Sequence, residues 1–195
     1  DAFSRFLEAA TLSHGSVLNA STISRECQVG RKSVETYLEV LDELMLAYSI
    51  PVFTRRARRE LSSHPKFFFF DTGVYRALRP SGILDQTQEI EGAALEGLVG
   101  QVLRAWIAGR GVGVDLFFWR TAAGTEVDFI VYGPDRFMAI EVKNSSSFRR
   151  EYLRGLKAFR DDYPEAECVL VYRGADRLTV DGIDAWPAED WLRQW

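Results

Sequence analysis

Apolar positions in the first fifty residues recur at helical spacing. Phe3, Phe6, Leu7 and Ala10 share one face of FSRFLEAATL, which predicts a helix over 3–12. A second short helix is expected over 22–28, capped by Ser21 or Thr22, with a turn at Val29-Gly30. From Lys32 to Tyr48 a third helix carries Val34, Tyr37, Leu38, Leu41, Leu44 and Met45 on one stripe, and Pro51 ends it. The pattern then changes character. VFTRRARRELSSHP is polar and leads into KFFFF, a short apolar run that reads as a buried strand over 66–70. Asp71-Thr72 caps a short helix, 73–79, which Pro80-Ser81-Gly82 breaks. A long helix is expected over 89–108, closed by the glycine-rich 109–113. Strand-like DLFFWR (115–120), a hairpin, a helix over 149–161 and the strand ECVLVY (167–172) come next. RLTV and IDAW read as shorter strands, and Pro187 is placed to start a last helix.

This order divides the chain near residue 60. Three helices, a glycine turn and a β-ribbon make residues 1–60 a winged-helix-like module. Residues 61–195 form a mixed α/β module in the order α-β-β-β-α-β.

The hairpin turns at Gly133-Pro134-Asp135-Arg136, which suits a type I turn and sets the register. Val127 then faces Val142, Phe129 faces Ile140 and Val131 faces Met138, an apolar face throughout. On the other face Glu126 meets Lys143, Asp128 meets Glu141, Ile130 meets Ala139 and Tyr132 meets Phe137. Two carboxylates directly opposed repel at a Cβ separation of about 4.5–5.5 Å. A protonated carboxyl, a lysine or arginine between them, or a bridging divalent cation would each offset this. An exposed face of mixed charge is the plain alternative, although the apolar pairs beside it indicate partial cover.

The long helix adds a third acid. With Leu98, Val99, Val102, Leu103, Trp106 and Ile107 filling one sector, Glu96 falls at that sector's edge, where the helix meets a sheet. Such a carboxylate either reaches water along the helix flank or completes a cation site.

Composition narrows the field. At 47% hydrophobic and 13% aromatic, the chain of 195 residues has enough apolar material for a core. Its net charge of -4 confines any nucleic-acid contact to a local basic patch. Two distant cysteines, Cys27 and Cys168, form no metal or disulfide pattern and fit a cytoplasmic setting. With only His14 and His64, a histidine-based zinc site or triad is not expected. No apolar run reaches the ~18–20 residues of a membrane span, and no signal peptide opens the chain. Beginning at Asp1 in helical pattern, the chain is expected to be part of a longer protein.

Helix Glu96, strand Asp128, a turn and then Glu141-Val142-Lys143 resemble the signature of the PD-(D/E)XK nuclease superfamily, with Val127 where that superfamily has proline. KFFFFDTGVYRAL, GAALEGLVGQVL, FFWRTAAGTEVDFIV and AIEVKNS are more narrowly similar to the DUF4143-type domain of unknown function found carboxy-terminal to AAA-type ATPase modules. The resemblance extends over roughly 66–172. It implies an α/β (α+β), restriction-endonuclease-like mixed sheet flanked by helices, behind the small winged-helix module. It also implies that Asp128 and Glu141 ligate Mg²⁺ or Mn²⁺ with the Val142 carbonyl. Lys143 would orient or deprotonate water, and Glu96 would be an outer ligand. The implied activity is phosphodiester hydrolysis. The alternative is a non-catalytic DNA- or partner-binding module, since many superfamily members keep the fold without the chemistry. The chain has no Gly-Lys-Ser/Thr and is not itself the ATPase, whose module would precede it.

Nucleic acid is expected at two basic runs. Arg55, Arg56, Arg58, Arg59 and Lys66 against Glu60 give net +4 in the expected wing, and Arg149-Arg150, with Arg154 and Lys157, come after the Glu-x-Lys strand. A solvated charged loop is the plain reading of the first run. The third helix, acidic through Glu35, Glu39, Asp42 and Glu43, argues against a base-reading transcription factor.

Overall fold

Strand pairing separates two sheets in the computed structural model, which describes residues 1–83, 85–110 and 113–195. Gly111 and Val112, in the expected closing loop, lie outside the described residues. The chain groups into two compact units: Asp1–Ile50 with His64–Leu98, and Pro51–Ser63 with Val99–Trp195.

The first unit holds α1 (Ala2–Thr11), β1 (Ser16–Val17), α2 (Ala20–Cys27), α3 (Arg31–Glu43), β2 (Ala47–Ile50), β3 (Lys66–Phe69) and α4 (Thr72–Leu78). It also takes the first half of α5 (Thr87–Arg110). β3 is central, antiparallel to β1 on one side and β2 on the other. Phe67, Phe69, Tyr75 and Ala94 join Phe6, Ile23, Val34 and Leu41 in one core. That shared core is why 64–98 packs here, whereas a division at residue 60 assigns the segment to the α/β module.

Two local expectations are corrected. Asn19, not Ser21 or Thr22, caps α2, its Oδ1 accepting from the Ser21 and Thr22 N–H groups at 3.1 Å. The third helix stops at Glu43, short of Tyr48. Met45 takes a left-handed φ of 54°, and Ala47–Ile50 leaves to pair with β3. A ladder to an apolar central strand outweighs continuation of a marginal helical stripe. Leu44 and Met45, counted on that stripe, are exposed.

The second unit contains β4 (Asp115–Arg120), β5 (Glu126–Gly133), β6 (Arg136–Lys143), a 3₁₀ turn (Arg150–Leu153), α6 (Arg154–Asp162), β7 (Glu167–Tyr172), β8 (Leu178–Val180), β9 (Ile183–Pro187) and α7 (Ala188–Leu192). These form a six-stranded mixed sheet, ordered β4-β5-β6-β7-β9-β8. β6, β7 and β9 run parallel, and the remaining pairs are antiparallel. On one face Leu153, Leu156 and Phe159 pack with Ile130, Ala139 and Leu170. On the other, Trp106 and Arg110 of α5 line a cavity with Met138 and Val169. The α/β class, the strand order along the chain and the helices flanking the sheet are as expected.

The arginine-rich segment does not project as a free wing. Pro51–Ser63 covers the edge of β4: Phe53 N–H donates to Phe118 O at 2.7 Å and Ser62 N–H to Arg120 O at 2.9 Å. Covering an edge strand removes its open pairing groups. Phe53 is fully buried among Phe117, Tyr132, Phe137, Phe159 and Tyr163, with ring centroids 5.3–6.1 Å away. Burying such a ring contributes about 1.5–3 kcal/mol, which anchors the segment.

Candidate functional site

The hairpin register is the expected one over part of its length. Phe129↔Ile140, Ile130↔Ala139, Val131↔Met138 and Tyr132↔Phe137 all pair, and the ladder stops at Phe129↔Ile140. β6 continues beside β7, with Glu141↔Leu170 and Lys143↔Tyr172, while β5 continues beside β4. The strands therefore part company where the acids begin. The Val142 N–H, which an unbroken ladder would spend on β5 backbone, donates to Asp128 Oδ2 at 2.9 Å. Asp128 and Glu141 are thus not a paired couple in the ladder, as the sequence register has them. Each sits at the fork, buried to within 8% and 7% exposure.

Lys143 lies two residues beyond Glu141 on the same face and donates to Glu141 Oε1 at 2.5 Å. Of the offsets considered for the acid pair, a lysine contact is the one seen. Both side chains line a cleft of about 420 Å³, whose other walls include Glu126, Tyr152 and Arg154. α6 approaches closely here because residue 155 is glycine: a Cβ would lie 2.1 Å from the Glu126 carbonyl oxygen and 3.5 Å from Glu141 Oε2. Glu126 is held by Arg120 at 2.7 Å. Elsewhere burial pushes the Cys168 thiol up to about 11 and holds the His14 ring down to about 4. Neither is a thiolate or imidazolium at neutral pH, and the cleft's chemistry rests on carboxylates, amine and guanidinium.

Glu96 belongs to the first unit. Its carboxylate pairs with Lys66 at 2.7 Å, and Gly15 (φ 70°) lies beside it, where a Cβ would come within 3.4 Å. Lys66, counted with the wing's positive charges, is 1% exposed at the head of β3. The structure thus brings Asp128, Glu141, Val142 and Lys143 together in the second unit and gives Glu96 a lysine partner within the first. Among the described residues no group of three or more His, Cys, Asp or Glu side chains is arranged to hold a metal ion.

The expected nucleic-acid arginines have mixed surroundings. Arg55 lies over the Tyr132 ring at 4.8 Å, and Arg59 pairs with Asp162 at 2.8 Å. Both help to pin their segment. Arg56 and Arg58 are exposed. Arg149 meets Glu151 at 3.4 Å, and Arg150 meets Asp181 at 3.9 Å. Sequence reasoning missed the Lys66–Glu96 pair, although a lysine opening an all-phenylalanine strand was its visible signal. It also missed Gly155 and Tyr152, which carry no motif.

A family model described as domain of unknown function (DUF4143) matches residues 91–191, and a second domain of unknown function (DUF8612) matches residues 1–87. The uncharacterized proteins Mb2031c of Mycobacterium bovis and Rv2008c of Mycobacterium tuberculosis are each 28% identical to the chain over 186 residues. The match covers 92% of this chain and 40% of each relative, so the chain spans about two fifths of the curated relatives it matches. Among the described residues no helix is long and apolar enough to cross a membrane.

Proposed function

The chain belongs to the DUF4143 family, and on that footing we propose that its second unit is a nuclease-like module that hydrolyses phosphodiester bonds of nucleic acid with a divalent metal ion. The observation that carries this reading is the fork. Asp128 is tied to the Val142 amide, and Glu141 and Lys143 stand side by side on an open cleft of about 420 Å³. Asp128 and Glu141, with the Val142 carbonyl, would hold Mg²⁺ or Mn²⁺. The donors fit in kind, since hard cations take oxygen ligands and Mg²⁺ typically uses one or two carboxylates plus water and phosphate. When bound, such an ion polarises the scissile phosphate. Lys143 presents an ammonium to the attacking water and to charge developing on phosphate oxygen. Arg154 at the cleft supplies a guanidinium fork for a second phosphate. Glu96 is not required, because Lys66 accounts for its charge.

The order α1-β1-α2-α3-β2-β3, with its three-stranded antiparallel sheet, supports reading the first unit as a winged helix. The acidic α3 supports a packing role for it rather than base reading. Attachment to an ATPase module is supported by the motif resemblance alone.

A second reading, a non-catalytic module that binds DNA or a partner, is favoured by two observations: Lys143 already supplies a cation to Glu141, and among the described residues no third acidic ligand completes the group. One experiment separates the two. DNA and RNA, single- and double-stranded, are incubated with the chain in Mn²⁺ or EDTA. The nuclease reading expects nicking in Mn²⁺ alone, abolished by Asp128→Asn, Glu141→Gln and Lys143→Ala. Binding without cleavage establishes the second reading, and cleavage that persists in all three variants removes the fork from the reaction.

A further inference from the structure

All five tryptophans of the chain belong to the second unit, and four of them gather around one cavity, away from any motif. Trp106 comes from α5, Trp186 from β9, Trp191 from α7, and Trp195 lies beyond it. They surround a cavity of about 190 Å³, which Arg110 and Arg136 also line. The rings are set at angles instead of stacking on one another: Trp106 and Trp195 lie 4.7 Å apart at 83°, and Trp191 and Trp195 lie 5.1 Å apart at 48°. The four indoles line the cavity without filling it, whereas a core built for stability alone fills its centre.

The charges identify what such walls receive. The Arg110 guanidinium lies 4.4 Å over Trp106, and that of Arg177 lies 3.4 Å over Trp186. Two rings already carry a cation, which disfavours a cationic ligand. Arg110 and Arg136 are exposed and make no ion pair among the described residues, while one carboxylate, Glu167, shares the lining. A planar ring joined to an anion answers both features. The ring stacks on indole, and the anion takes a guanidinium fork. The volume is below the ~300 Å³ at which pockets for drug-sized ligands begin, so one ring system enters and the rest stays at the rim. We propose that this cavity binds a nucleobase carrying a phosphate, presented by a free mononucleotide or by single-stranded nucleic acid. A proline-rich peptide, which also seeks aromatic grooves, gains nothing from the two guanidinium groups.

The site shares no residue with the fork, and its test is run in EDTA, so it stands or falls apart from cleavage. The whole chain is titrated with AMP, with oligo(dT) and with a proline-rich peptide while tryptophan fluorescence is followed; Trp119, buried in the core, is the one indole outside the site. Saturable quenching by AMP and oligo(dT) is expected, weakened about tenfold by Trp195→Ala, in keeping with what base–aromatic stacking contributes, and about tenfold by Arg136→Ala, in keeping with loss of a charge-assisted bond to phosphate. Quenching by oligo(dT) alone assigns the base to a strand. The proposal is overturned if neither nucleotide saturates, if only the peptide does, or if both variants, checked by circular dichroism for folding, bind as the parent does.

Discussion

The Lys66–Glu96 pair of the first unit and the Lys143–Glu141 pair of the second have the same chemistry and similar lengths, 2.7 and 2.5 Å. Their surroundings differ. Lys66 is 1% exposed at the head of a phenylalanine strand, whereas Lys143 is 34% exposed on an open cleft. An ammonium sealed from water is committed to its carboxylate, since leaving either charge alone in the interior costs several kcal/mol. One at a cleft keeps part of its surface toward water while it holds a carboxylate that is itself buried. The two pairs therefore differ in whether the lysine meets water, although both match the same acidic signature in the sequence.

The largest effect that tests this contrast is Lys66→Met. Removing half of a buried pair should cost about 3–5 kcal/mol of stability, read from denaturant midpoints. Replacing both partners, Lys66→Met with Glu96→Leu, should recover most of it; a single-change cost no larger than that of Lys143→Ala would remove the contrast.

A second effect comes from His14, which lies in the same unit. Its Nδ1 accepts from the Phe69 N–H at 3.0 Å, so the ring's proton sits on Nε2, and Gly97 leaves room for it where a Cβ would come within 2.5 Å. Burial, set against the Ala93 backbone and reinforced by the Lys66 charge, lowers this ring to about 4. The unfolded ring takes its proton near 6.5, so between 6.5 and 4 the unfolded chain binds more protons than the folded one. Stability from this source is full above pH 6.5 and is lost as pH falls toward 4, by roughly 3 kcal/mol at ~1.4 kcal/mol per pH unit. Melting temperature tracked over that range should fall more steeply for the parent than for His14→Phe. In the Lys66→Met background the fall should lessen, since one of the charges that depress the ring is gone.

The smallest effect is expected at the open pair. Lys143→Ala should cost about 1–2 kcal/mol in the same denaturation assay, less than Lys66→Met because the lysine itself reaches water, but measurable because Glu141 is buried and loses its ammonium. A loss as large as that of Lys66→Met would show that the cleft lysine holds the fold together and would merge the two regions.

Much of the second unit is legible in the sequence. Asp115–Arg120 and Glu167–Tyr172 fall where apolar runs between turn signals put them, and the hairpin register is set by its turn. Asp128, Glu141 and Lys143 are also legible as a group, because two strands of one hairpin hold them. Where the ladder stops is not: β6 stays with β7 and β5 with β4, a contest among three partners that no single strand encodes. Glu96 is legible as a carboxylate on an apolar edge, but its partner is a lysine thirty positions earlier, beyond the reach of any periodicity.

The features that the order of residues settles alone depend on neighbours a few positions apart: helix stripes, strand alternation, caps and a two-residue turn, each set by backbone geometry that repeats every two or 3.6 residues. Packing in three dimensions settled the rest. It turned Ala47–Ile50 from helix to strand, drew Pro51–Ser63 into the second unit through Phe53, and gave 64–98 to the first through Phe67, Phe69 and Tyr75. It also gathered four tryptophans from α5, β9, α7 and the residues after it around one cavity. Each outcome turns on which distant apolar surface a segment buries, and burial energy is non-directional, so only the assembled chain selects among the surfaces that fit.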